Sequence, residues 1–299
     1  MQAVVGALRR YARADANVLV TGETGTGKDL VARTLHHLSA RRRHPFIVVD
    51  CPGLAAGLLE SELFGHERGA FTDATMARPG RFELAGEGTI YLDRVDELSL
   101  DAQAKLLRLV EQKQVERLGS SISIPVLARV IASAADGIEQ AVRDGRFRMD
   151  LYHRLRVLPM SVPPLRHRAG DVPVLARRLV AELTRNDHRR PPLVTRDAMA
   201  LLSAHDWPGN VRELRHVLER ALMSSDRDVI TAADLADVAP SPERIAGGHT
   251  ADRPTLDELE RRYVAFVLRE TKGNQSRAAA VLGISRKALW QKRKRYGIE

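Results

Sequence analysis

The sequence contains a single cysteine, Cys51, so no internal disulfide can form, and a reducing compartment, the cytoplasm, is expected. No apolar run approaches the roughly 20 residues that cross a bilayer. The N-terminus lacks the apolar stretch of a signal peptide. These absences point away from membrane partners. No internal repeat is visible. Acidic residues are outnumbered, 38 against 47 basic ones, leaving a net charge of +9 that suits a polyanionic partner. That excess is uneven: from Arg253 to Glu299 there are twelve Lys and Arg against five Asp and Glu.

What is present begins with an apolar run, Asn17–Thr21, followed by Gly22-Glu23-Thr24-Gly25-Thr26-Gly27-Lys28-Asp29 and a helical pattern over Leu30–Ser39. A buried strand, a glycine loop and a helix mouth form a phosphate cradle. Glycines let backbone N–H groups close around the anion, and the helix N-terminus adds its positive end. Lys28 is placed to reach the β- and γ-phosphates. The competing reading, a glycine-rich turn in an ordinary α/β domain, is disfavoured by the strand before the loop and the helix after it. The generic loop ends in Ser or Thr, whose hydroxyl holds Mg²⁺; here the position is Asp29.

Four further apolar runs follow, Pro45–Val49, Thr89–Leu92, Arg129–Ala132 and Leu155–Met160, with helical patterns such as Ala102–Gln112 between them. Strands alternating with helices predict a parallel sheet covered on both faces. After Pro163-Pro164 the strand signals stop, and residues 170–238 read as helices only, with Trp207-Pro208-Gly209 as a turn. Residues 239–254 have linker composition. The expected organisation is an α/β nucleotide-binding subdomain over 1–165, a helical lid over 166–238, a linker over 239–254 and an all-α unit over 255–299.

Four segments in this order carry a resemblance: Gly22–Asp29, Glu62–Ala74 (Glu-Leu-Phe-Gly-His-Glu-Arg-Gly-Ala-Phe-Thr-Asp-Ala), Gly145–Tyr152, and Trp207–Leu214. Together they resemble the AAA+ domain of sigma-54-dependent transcriptional activators, the bacterial enhancer-binding proteins. Gly273–Ala279 through Tyr296-Gly297-Ile298 resembles their Fis-type helix-turn-helix domain. The resemblance covers nearly the whole chain and implies an AAA+ P-loop fold with a helical lid. It further implies that ATP bound between subunits of a ring drives a loop that remodels the closed complex of sigma-54 RNA polymerase. It places that loop on Gly69, Ala70, Phe71, Thr72, Asp73 and Ala74, with Phe71 supplying apolar area and Thr72 a hydrogen bond. The usual residue at the fifth position is Gly, and here it is Asp73. Asp93 falls on the Walker B aspartate that holds Mg²⁺, Arg148 and Arg154 on the arginine fingers, and Arg212 on the sensor II arginine. The family also has a short segment, N-terminal to the part that Met1 begins, that packs on adenine.

Three positions depart from this pattern. The residue after Asp93 is Arg94 instead of the glutamate that activates water. The sensor I pair is Ala134-Ala135 instead of Thr-Asn, and the asparagine that restrains the glutamate is Asp50. The phosphate cradle is intact, so binding of ATP and Mg²⁺ is expected to survive. Loss of a general base typically costs about 10²–10⁴ in rate, and arginine cannot replace it. Slow or absent hydrolysis is therefore expected, unless Asp96 or Glu97 substitutes through a shifted turn. The arginine fingers act on a neighbour, so such a subunit could still complete an active partner's site in a mixed ring.

In the C-terminal unit, Ser276–Leu282 reads as one helix and Gly283-Ile284 as a tight turn. Ser285 is the N-cap of a second helix, Arg286–Tyr296. This spacing suits the second helix to the major groove. The expected DNA-binding set is Asn274, Ser276, Arg277, Ser285, Arg286, Lys287, Gln291, Lys292, Arg293 and Arg295, with bases read near the helix start and phosphates gripped by the later cluster. The preceding helix, Leu256–Glu270, carries Leu259, Tyr263, Phe266 and Val267 at helical spacing, a stripe for core and dimer interface. The sequence thus predicts a sigma-54-dependent regulator that binds ATP and enhancer DNA, as a DNA-bound dimer and, with nucleotide, a ring. A hydrolysis-deficient, ATP-gated DNA-binding regulator is the alternative. An AAA+ helicase or loader is a third reading, against which the insert argues.

Overall fold

The computed structural model describes residues 2–53, 56–71, 74–185, 191–224, 228–238, 256–271 and 274–297. They divide into two compact units, Met1–Asp234 and Leu235–Glu299. The expected linker lies outside the described residues.

The first unit is built on five parallel strands: β1 (Val18–Thr21), β2 (Phe46–Asp50), β3 (Thr89–Asp93), β4 (Arg129–Ala134) and β5 (Leu158–Ser161), in the spatial order β2-β3-β4-β1-β5. Each arises from one of the five apolar runs. Alternate residues feed two cores. Leu19, Ile90, Leu92, Val130 and Ala132 pack on one face with α3 (Ala56–Phe64), α4 (Leu100–Gln112) and α5 (Met149–Leu155). Val18, Val20, Tyr91, Ile131 and Met160 pack on the other with α1 (Gln2–Tyr11) and α2 (Lys28–Leu38). Burial on both faces is why the inner strands β1, β3 and β4 read as continuous apolar runs instead of alternating ones, while the edge strands β2 and β5 are partly exposed. The run Leu155–Met160 divides differently from expectation: Leu155 closes α5, and the strand starts at Leu158. Leu155 is fully buried, which a helix satisfies as well as a strand.

After β5 come α6 (Val172–Leu183), α7 (Arg196–Ala204) and α8 (Asn210–Ser224). Trp207 is fully buried at their centre, donating its indole N–H to Leu202 O at 2.9 Å. The expectation of helices alone needs one correction. Leu193–Val194 and Val229–Ile230 form a short parallel strand pair. Two-residue strands are too brief to leave a period in the sequence.

In the second unit, α9 (Leu256–Glu270), α10 (Gln275–Val281) and α11 (Arg286–Tyr296) enclose Val264, Val267, Leu268, Ala278, Ala279 and Leu289, with Tyr263 and Phe266 against them. The side chain of Leu259 is outside the described set. Asn274 caps α10 by accepting Arg277 N–H, and Ser285 caps α11 by accepting Ala288 N–H at 3.1 Å. Gly283, at φ +64°, makes the turn between them.

Candidate nucleotide site and nucleic-acid helix

Gly22–Asp29 forms the loop between β1 and α2. Gly25 and Gly27 have φ of +79° and +101°, a region open to glycine without cost. At Gly25 a side chain would also collide with Gly209 O, 2.3 Å from an added Cβ. Lys28 extends back along the loop and donates to Gly22 O at 2.6 Å and Glu23 O at 3.1 Å. Burial lowers the pKa of its ammonium, while Asp93, then Asp96 and Asp136, oppose that shift.

The loop is tied to the lid. Asn210 is fully buried at φ +53°, a conformation asparagine tolerates better than most residues. Its Nδ2 donates to Glu23 Oε2 at 3.0 Å and Thr24 O at 3.1 Å, and its Oδ1 accepts Leu165 N–H at 2.7 Å. Val211 N–H donates to Gly25 O at 3.0 Å. Arg166 grips both oxygens of Glu23, at 2.8 and 2.5 Å, and this hydrogen bonding holds the Glu23 carboxyl below its usual range. Arg168 donates to Thr26 O at 2.8 Å. Arg212 lies beside the loop, its Cβ 3.0 Å from where a Cβ on Gly25 would be. Loop and lid therefore share one hydrogen-bonded network.

Asp93 ends β3. Its Oδ1 accepts the Tyr91 hydroxyl at 2.9 Å and the buried Ser133 hydroxyl. Among the described residues its Oδ2 accepts no hydrogen bond, leaving a hard oxygen ligand for Mg²⁺ or its water. Asp29 pairs with Arg33 at 3.0 Å on the exposed side of α2. No group of three or more His, Cys, Asp or Glu is arranged for a metal among the described residues.

The departures found in the sequence meet each other. The register pairs Asp50 with Asp93 across β2 and β3. Arg94, at φ +59°, donates its guanidinium to Asp50 Oδ1 at 2.8 Å, and its N–H to Ser133 Oγ at 3.0 Å. Two changes thus form one ion pair. Cys51, next along, is buried, and its thiol is pushed up to about 12, so it stays neutral.

Arg148 and Arg154 stand apart from the loop. Arg148 pairs with Asp150 at 2.8 Å and Arg154 with Glu111 at 2.8 Å, both largely exposed. Among the described residues no hydrogen bond from either reaches Gly22–Asp29.

The insert begins with an antiparallel pair, Gly65–His66 with Arg78–Pro79. Arg117, from the neighbouring hairpin, braces it by bonding Glu67 at 3.0 Å and both oxygens of Glu83. Gly69 N–H donates to Ala74 O at 2.8 Å, closing the tip. Phe71 is 39% exposed, its ring edge-on to His66 at 5.0 Å. Thr72 and Asp73 lie outside the described residues.

In the second unit, Asn274, Ser276, Arg277, Ser285, Arg286, Lys287 and Gln291 are all exposed. Lys292 and Arg295 are held by α9. Lys292 pairs with Glu260, and Arg295 with Asp257 at 2.7 Å. Tyr296 donates to Glu260 at 2.6 Å and to Asp257 at 3.0 Å. The late cluster is thus partly spent on fixing α11 against α9. Arg286 and Lys287 make no ion pair among the described residues.

Comparison with known proteins agrees with this arrangement. Residues 1–161 match the Sigma-54 interaction domain family. The chain belongs to that family. In it, residues 166–249 match the AAA+ ATPase lid domain, and residues 255–296 the Fis family of bacterial regulatory proteins. Regulatory protein AtoC of Escherichia coli is 41% identical over 97% of this chain and 64% of its own length. The Nif-specific regulatory protein of Azotobacter vinelandii is 43% identical over 95% and 55%. The sigma-54 family chain described here therefore spans just over half to two thirds of these relatives. The crystal structure of NtrX from Brucella abortus in complex with ATP has a TM-score of 0.77 and 33% identity, covering 100% of this chain and 68% of that one.

Tyr91, Ser133, Arg166 and Asn210 had no assigned role in the sequence. Asn210 carried the clearest signal, an asparagine directly after Pro-Gly, where a left-handed backbone is common.

Proposed function

We propose that the chain binds ATP with Mg²⁺ at the Lys28 loop and uses it to act on sigma-54 RNA polymerase from enhancer DNA. The observation that carries this reading is the network joining the phosphate loop to the lid through Glu23, Asn210 and Arg166, since a ligand in the loop then bears directly on lid position. Magnesium falls to Asp93. Arg148 and Arg154 complete the site of an adjacent copy in a ring, and Arg212 reports the nucleotide to the lid. The insert over Gly69–Ala74 makes the polymerase contact through Phe71. Substituting Phe71→Ala is expected to leave ATP affinity within about twofold. Binding of sigma-54 in pull-down titrations should weaken about 30-fold, the cost of removing a central aromatic anchor of about 2 kcal/mol. Unchanged sigma-54 binding would remove the insert from this role.

The second unit binds DNA as a dimer through α11. Arg286→Ala is expected to weaken binding to the specific enhancer by about 1–3 kcal/mol, with a smaller effect on unrelated DNA. Fluorescence anisotropy at fixed salt measures both. An equal loss on both sequences would assign Arg286 to phosphate instead of base.

A further inference from the structure

We propose that Asp96 is the catalytic residue that accepts the proton of the attacking water in ATP hydrolysis. This rests on the ATP-binding reading of the Lys28 loop. The position directly after Asp93, where the family resemblance expects the acid, holds Arg94, and its guanidinium is engaged by Asp50. Arginine stays protonated and accepts no proton. The next acids are Asp96 and Glu97, in the short turn Val95–Glu97 that follows β3. Glu97 is exposed, whereas Asp96 is partly buried.

Two features single out Asp96. Its Oδ2 accepts the backbone N–H of Ala135 at 3.2 Å. Ala135 directly follows Ala134, which the sheet register pairs with Thr21, the residue before Gly22. The carboxylate is therefore tethered level with the mouth of the phosphate loop. Its Oδ1 is shut off from solvent, and no donor among the described residues reaches it. A carboxylate oxygen buried without a donor is costly, and native structures satisfy such atoms with a water or a ligand. A water donating to Oδ1 answers that need. Lys28 senses the same carboxylate, since Asp96 stands second only to Asp93 among the groups raising its pKa. The sensor I change completes the arrangement. With Ala135 in place of a polar side chain, the backbone N–H is the group that orients the acid.

The chemistry closes without a further reactant. The water oxygen bonds to the γ-phosphorus, and the bond from that phosphorus to the β,γ-bridging oxygen breaks, leaving its electron pair on ADP. The water proton passes to Asp96 Oδ1 and then to the inorganic phosphate formed.

The test uses the full chain with Mg²⁺, comparing wild type, Asp96→Asn and Glu97→Gln by calorimetric ATP binding and by steady-state phosphate release. Asparagine keeps an oxygen for the Ala135 N–H, and retained ATP affinity reports an intact site. The expected result is measurable turnover in wild type, a fall of about 10²–10⁴-fold in Asp96→Asn with ATP affinity within about threefold, and turnover within about threefold in Glu97→Gln. Turnover by Asp96→Asn within threefold of wild type overturns the assignment. So does a wild type that binds ATP without hydrolysing it. A wild type that binds no ATP overturns the nucleotide reading itself, and the Asp96 assignment with it.

Discussion

Replacing Lys28 with alanine should weaken ATP binding by about 100-fold or more while leaving the fold intact. An ammonium hydrogen-bonded to phosphate is a charged pair, and such bonds contribute about 1.5–3 kcal/mol each. One ammonium reaching two phosphates puts the expected loss at roughly 3 kcal/mol or above. The chain itself depends on Lys28 much less. Its protein partners are the carbonyls of Gly22 and Glu23, both in the loop that already carries it. Thermal unfolding should shift little, and calorimetry should show the affinity loss directly. Retention of wild-type affinity in Lys28→Ala would place the nucleotide elsewhere.

The second large effect is on stability. Trp207→Ala is expected to lower unfolding free energy by about 3–5 kcal/mol, the usual range for truncating a buried aromatic. Trp207 is wholly enclosed, its indole N–H is bonded to Leu202 O, and His205 packs on its ring at 4.6 Å between centroids. Its φ of +53° does not enter the difference, since tryptophan and alanine both carry the Cβ that is strained there. The residue directly precedes Pro208-Gly209, which abuts Gly25, so ATP affinity should fall as well. Urea unfolding followed by circular dichroism measures the first effect. A loss below about 1 kcal/mol would show that the lid does not depend on this side chain.

Much of this arrangement was legible in the sequence because the signals were strong and local. Five apolar runs became five strands, since a parallel sheet buries both faces and leaves no polar alternation to confuse them. The phosphate loop announced itself through glycines that a tight anion cradle requires. The helix-turn-helix was marked by Ser285 as a cap and Gly283 as a turn. The failures are non-local. Leu155 was assigned to a strand because a buried residue looks the same in either element. The Arg94–Asp50 pair joins residues 44 apart in sequence, so each looked like a separate loss until the register of β2 and β3 set them side by side. Asn210 reaches Glu23 and Thr24 across nearly the whole first unit, a contact that no window of sequence contains. The basic run at the end of α11 read as a uniform phosphate grip, yet Glu260 and Asp257 claim Lys292 and Arg295.

In the proposed function, nucleotide in the Lys28 loop controls what the Phe71 insert presents to the transcription machinery. Purified chain should be titrated with fluorescently labelled sigma-54 under three conditions: no nucleotide, saturating ADP, and saturating ATP with Mg²⁺. ATP is expected to strengthen the complex at least tenfold over the other two, and Lys28→Ala to remove the difference. Equal sigma-54 affinity under all three conditions would contradict it.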